Sequence, residues 1–170
     1  ESRRTKRRRA ARTRLPLPGI DADFQFPAAT KRRMSNGLGL WTLTCDRLPV
    51  VSLVLMLPAG AVLDPADRPG LASITGDMLD EGSGDRSAIQ MQEALARLGA
   101  ELDTDIGPDA VTVSLTLLGQ HLQAGLRLLA GIVCRPRLAE ADFERVRTLR
   151  LNRLRQLRDV PAAAAECALA

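Results

Sequence analysis

Residues 50–57, Val-Val-Ser-Leu-Val-Leu-Met-Leu, are an apolar, β-branched run closed off by Pro49 and Pro58. Proline fixes φ and removes a backbone donor, so the run cannot be extended as a helix at either end. Eight residues are also far short of a membrane-crossing helix. The composition and the bounds predict a buried β-strand. No apolar run in the 170 residues is long enough to span a bilayer, so no membrane span is expected, and the folded part is expected to be soluble. A chain of this length that is 45% hydrophobic can bury a core, as one domain or as half of a larger unit.

The elements around that strand follow from turn and cap signals. Ser35-Asn36-Gly37 marks a turn, after which Leu38, Leu40, Thr42 and Thr44 alternate with Gly39, Trp41, Leu43 and Cys45. Asp46-Arg47-Leu48-Pro49 turns this run into 50–57, which predicts a hairpin. Turns at Asp64-Pro65 and Arg68-Pro69-Gly70 lead into a helix over 71–79. On its wheel Leu71, Ile74, Thr75 and Met78 share one face, and Ser73, Asp77 and Asp80 the other. Gly82-Ser83-Gly84 stops it, and without a following lysine and a preceding strand these glycines do not make a phosphate loop. Ser87-Ala88-Ile89-Gln90 is a capping box for a helix closed by Gly99. Residues 101–106 and 111–117 flank a Gly107-Pro108-Asp109 turn, a second hairpin. Helices over 120–134 and from Glu140 finish the chain, the last with an apolar stripe of Phe143, Val146, Leu154 and Leu157. The order β-β-α-α-β-β-α-α predicts an α+β two-layer sandwich, an antiparallel-rich sheet with helices on one face.

The net charge of +4 is concentrated at the start: residues 1–14 carry eight Lys or Arg and one acid, Glu1. Residues 1–33 therefore read as a basic flexible leader, with the fold starting at Met34. Its basic run fits a solvated linker first, and otherwise a targeting peptide or a tail for nucleic acid or an anionic surface. No apolar segment follows Arg14, so no secretory signal is visible. Three Phe, one Trp and no Tyr give no stacking platform, which makes nucleic acid an unfavoured partner. Cys45, Cys134 and Cys167 lack the spacing of a zinc knot and read as reduced, partly buried thiols. The lone His121 opens a helical stretch, a surface or capping position. A Ser73–Asp77 hydrolase lacks a histidine base. Asp77, Asp80, Glu81 and Asp85 lack an ordered ligand loop and read as a solvated helix end.

Asn36-Gly37-Leu38, Leu48-Pro49-Val50-Val51-Ser52, Ala59-Gly60, Gly70-Leu71-Ala72, Met78-Leu79 with Glu81-Gly82, and Leu98-Gly99-Ala100 resemble, in order and spacing, the N-terminal domain of the insulinase/pitrilysin (mitochondrial-processing-peptidase-like) family. Active members carry H-x-x-E-H on the helix after the Gly-Leu-Ala turn and a further glutamate on a later helix. Two histidines four apart share a helical face and bind zinc, while the glutamate between them activates the metal-bound water. Laid on this sequence, the resemblance puts Ser73 and Asp77 at the histidine positions, Gly76 at the general base, and Arg153 at the distant ligand, or Asn152 if the register slips by one. No catalytic residue and no zinc cofactor are therefore expected. Asp77 and Arg153 would form an ion pair in place of the metal, or stand as two independent surface charges.

The resemblance implies a non-catalytic partner or regulatory half of an active zinc-peptidase homologue, a separate chain or a fused one, that binds and positions peptide substrate. Family units hold two similar α+β domains, so residues 34–170 are expected to be the first of them and the chain a fragment. Two other functions stay open: an active zinc endopeptidase with unorthodox ligands, and binding of nucleic acid or an anionic surface through the leader. The compartment, the identity of the partner and the peptide preference are not legible.

Overall fold

The computed structural model describes residue 19, residues 25–45, residues 47–162 and residue 165. The basic run at 1–14 and Cys167 lie outside the described residues, and so do the readings made of them. The chain divides into two compact units, 1–46 and 47–170.

In the first unit β1 (Thr30–Arg33) pairs antiparallel with β2 (Gly39–Thr42), in a register that sets Lys31 opposite Trp41. The Lys31 ammonium lies 3.8 Å from the centre of the Trp41 ring, a cation–π contact. The turn between them is local chemistry. Gly37 adopts a left-handed φ of 86°, and Asn36 Oδ1 accepts the Leu38 N–H at 3.1 Å. This corrects two expectations. Residues 30–33 are a strand and not the end of a flexible leader, and the Ser35-Asn36-Gly37 turn joins two strands where it was expected to open the fold. Within this unit β2 pairs with β1.

The second unit runs β3 (Val50–Leu57), α1 (Leu71–Asp77), β4 (Gly82–Ser83), β5 (Arg86–Ser87), α2 (Ala88–Leu98), β6 (Glu101–Ile106), β7 (Val111–Leu118), α3 (Leu122–Cys134) and α4 (Glu140–Arg158). Its main sheet is antiparallel, in the order β3-β7-β6. The partner of β3 is sixty residues away because β7 offers a matching eight-residue alternation: Val50 stands opposite Leu118 and Leu57 opposite Val111, without a slip. That register lines up Leu53, Leu115 and Leu102 across the three strands, and Leu55, Val113 and Thr104 beside them. Val111, Val113, Leu115 and Leu117 of β7 are buried under the helices, while Ser52, Val54 and Met56 of β3 are exposed on the other face. Within this sheet β3 is the terminal strand, half-buried on one face and exposed on the other, where a buried strand was expected. The outcome is the two-layer α+β fold that the pattern predicted.

Two helix placements matter for the site. α2 is fixed at both ends: Ser87 and Gln90 form a reciprocal capping box, and Gly99 closes the helix at φ 56°. Met91 and Leu95 of α2 join Leu115, Leu129 and Ile132 in the core. On α3, Gly125 lets the helix settle on β7, since a Cβ there would come 2.5 Å from Leu117 Cδ1. Of the apolar stripe expected on α4, only Val146 is buried; Phe143, Leu154 and Leu157 stay 37–48% exposed.

Candidate functional site

The helix that would carry peptidase chemistry starts on a side-chain clamp. Asp64 accepts the backbone N–H groups of Gly70 and Ala72 at 2.7 and 2.8 Å, which supplies partners for the free donors at the α1 N-terminus. α1 then packs on β6 and α4. Gly76 is its buried residue, aimed at the sheet. A Cβ at 76 would stand 2.6 Å from both Cγ1 and Cδ1 of Ile106, with Thr104 Cγ2 at 3.5 Å. The volume next to Gly76 is therefore filled by an isoleucine.

Asp77 meets a cation across the helix pair: Arg150 Nη1 donates to Asp77 Oδ2 at 2.6 Å, with both side chains about one-third exposed. The expected cross-link thus forms with Arg150 and not with Arg153, one helical turn earlier on α4. Arg153 is exposed and makes no ion pair among the described residues, and Asn152 accepts a hydrogen bond from Arg155 at 3.2 Å on the same exposed side. The physical reason is axial position. Arg150 and Arg153 lie four and seven residues after the buried Val146, so both fall near its face; they differ by three residues, about 4.5 Å, along the helix axis, and Arg150 is the one level with Asp77. The helical period does not distinguish the two arginines, so the sequence carried no signal that singles out Arg150. Ser73 is half-buried on α1. A groove of about 510 Å³ runs between the helices, lined by Leu71, Ile74, Phe143, Arg150, Leu151 and Leu154.

The acidic helix end is more engaged than the solvated reading expected. Arg145 of α4 pairs with Glu81 and lies 4.0 Å from Asp142. Burial pushes the Asp80 carboxyl above its ordinary range, and the nearby Asp77 charge acts in the same direction. Glu81 is also raised, because burial outweighs the attraction of Arg145. Cys45 and Cys134 are free and exposed, in contrast to the partial burial expected of them. His121 occupies the residue before α3, with its ring 3.2 Å from the Gln120 amide nitrogen and no side-chain cap bond.

Zinc fits this set of residues badly. Ser73 offers a neutral hydroxyl, Gly76 nothing, and the Asp77 carboxylate is already engaged by a guanidinium whose charge repels a cation. Among the described residues no three His, Cys, Asp or Glu side chains gather as ligands. The single histidine, His121, also precludes a two-histidine motif within these 170 residues. No helix among the described residues is long and apolar enough to cross a membrane.

A short helix after a Gly-Leu-Ala turn, laid on an antiparallel sheet and cross-linked to a long C-terminal helix, is the framework of a metallopeptidase-type domain. Residues 45–168 match the family described as Insulinase (Peptidase family M16), and the chain belongs to it. Solved structures share the fold. The peptidase M16 inactive domain from Pseudomonas fluorescens superposes with a TM-score of 0.79 at 23% identity, over 84% of this chain and 35% of that one. A protease from Helicobacter pylori gives 0.71 at 16% identity, over 78% and 32%. Pitrilysin gives 0.67 at 23% identity, over 82% and 15%. The chain thus spans about a third or less of each of these structures. No curated protein matches it significantly.

Proposed function

We propose that this chain is a non-catalytic member of the insulinase family, a partner or regulatory half that works beside an active zinc-peptidase homologue and positions extended peptide. The observation that carries the reading is the Asp77–Arg150 ion pair, with Ile106 filling the space beside Gly76. By the resemblance, Ser73 and Asp77 stand at the histidine positions, Gly76 at the general base, and Arg150, in place of Arg153, faces the metal position from the later helix. A cross-helix salt bridge would then hold α1 to α4 where a metal does so in an active enzyme.

Two further features favour a partner role. The apolar side chains of α4 that stay exposed, Phe143, Leu154 and Leu157 among them, suit a face that packs against more protein. The likeness to the M16 inactive domain of Pseudomonas fluorescens points the same way. Peptide would add to the outer edge of β6, which pairs only with β7 among the described residues and lies under α1. The test is metal analysis of the purified protein together with a peptide-cleavage assay, alone and with an H-x-x-E-H homologue added. The reading expects less than stoichiometric zinc, no turnover alone, and a changed KM or rate for the homologue. Stoichiometric zinc with turnover by the chain alone would overturn it.

A further inference from the structure

The hairpin β4–β5 is fastened to the segment that follows α3. Gly84 N donates to Arg135 O at 2.8 Å, Arg137 N donates to Gly82 O at 3.0 Å, and Ser83 forms a β-bridge with Pro136. These bonds hold Ser83 at 4% exposure, the one buried polar residue of the described core. On the facing helix Gly131 leaves room for its hydroxyl, since a Cβ there would lie 3.0 Å from Ser83 Oγ. The hydroxyl makes no hydrogen bond with another described residue, and it is not sealed off: it lines a cavity of about 590 Å³.

Four arginines from separate stretches of chain line the same cavity: Arg86 on β5, Arg97 on α2, Arg127 on α3 and Arg135 just after it. Arg97 is engaged by Glu93 at 3.2 Å. The other three make no ion pair among the described residues, and Asp85 is the remaining acid on the lining. Arg86, Arg127 and Arg135 thus give one cavity an excess of positive charge over its single unpaired acid, and the Ser83 hydroxyl faces the same space without a protein partner. One tetrahedral dianion would answer both: it accepts paired N–H bonds from guanidinium forks and one O–H bond from the serine.

The geometry points to a phosphate-binding site between β4–β5, α2 and α3, formed by Ser83, Arg86, Arg127 and Arg135. It lies apart from Asp77 and Arg150, and it stands whether or not the chain is catalytically inactive. A volume of this order suits a phosphate carried on a small organic body as well as the free ion. Calorimetric titration of the chain at constant ionic strength, with inorganic phosphate and separately with O-phosphoserine, tests it. Saturable one-site binding is expected. The double variant Arg127→Gln/Arg135→Gln weakens it at least about tenfold, and Ser83→Ala about threefold. Tighter binding of O-phosphoserine identifies an organic phosphate as the ligand, and equal affinity identifies the phosphate group alone. Arg86→Gln, on the exposed hairpin, gives a second reading should the double variant not fold. No saturable binding of either compound, or affinities unchanged in the arginine variants, would overturn the site.

Discussion

The two sides of the second unit are built on different physics. Where α2 and α3 cover β7, Met91, Val113, Leu115 and Ile132 are wholly buried, and α2 is capped at both ends. Where α1 meets α4, Val146 is the one buried residue of a nineteen-residue helix, and the links are charged: Arg150 to Asp77 across the helix pair, and Arg145 to Glu81 in the segment after α1. Burying a large aliphatic side chain contributes about 2 kcal/mol, whereas a partly exposed ion pair contributes about 1 kcal/mol or less. The first side therefore holds the fold, and the second sets the relation of two helices while leaving apolar surface uncovered. A fold of this kind can lose catalytic side chains from the second side without losing stability on the first.

The sharpest way to break that contrast is to damage each side in turn. Leu115→Ala removes three carbons' worth of packing at the centre of β7, where Leu53 and Leu102 flank it, and should cost about 2–5 kcal/mol in urea unfolding. A loss below about 1 kcal/mol would show that β7 is not the keystone described. Next in size is Gly76→Glu, which places a carboxylate where the resemblance puts the family's general base. The new Cβ would overlap Ile106, and the overpacking should cost about 1–3 kcal/mol. Pairing it with Ile106→Ala should recover part of the loss. A stable, unperturbed Gly76→Glu variant would mean that the space beside α1 is still open for a base.

The first side was legible in the sequence because its signals are local and agree with one another. The alternation in 111–117, the Ser87–Gln90 box and Gly99 each named their element before any contact was known, and the fold class followed. The second side was legible only in outline. Asp77 was singled out, yet its partner was placed at Arg153, because spacing along the chain fixes no axial position for a helix that starts many residues away. The pairing of β3 with β7 was not foreseen, since a contact about sixty residues distant along the chain leaves no local mark. The filling of the Gly76 space by Ile106 was likewise invisible, as it joins an α1 residue to one on β6.

A smaller effect is expected at the ion pair itself. Asp77→Asn or Arg150→Gln should each cost about 1 kcal/mol or less, with a coupling energy of similar size in a double-mutant cycle. Because both side chains are about one-third exposed, neither is left fully buried and unpaired when its partner is removed. A coupling indistinguishable from zero, with unchanged exchange protection of α1 amides, would reduce the pair to two neighbouring surface charges. A cost of several kcal/mol would instead mean that α1 and α4 depend on it as the α2–α3 side depends on Leu115.

The smallest effect concerns Asp80, and its sign tests whether the α1–α4 side carries electrostatic strain. Burial, the largest cause, raises its folded-state pKa above the ordinary value of 3.8, with the Asp77 charge adding to the rise, while a backbone hydrogen bond and Arg145 oppose it. A carboxyl that holds its proton more tightly when folded favours the folded state fully below its unfolded value. That contribution is lost as pH rises through the folded one. Glu81 acts in the same sense, with burial again the main cause. Unfolding midpoints of the parent and of Asp80→Asn, measured from pH 3 to pH 7 (about the ordinary carboxylate range and above it), should therefore diverge as pH rises, with the asparagine variant the more stable at neutral pH. An asparagine variant that is the less stable one at neutral pH would show that attraction to Arg145 outweighs burial, so that the charges on this side stabilise the contact between α1 and α4 rather than merely being tolerated there.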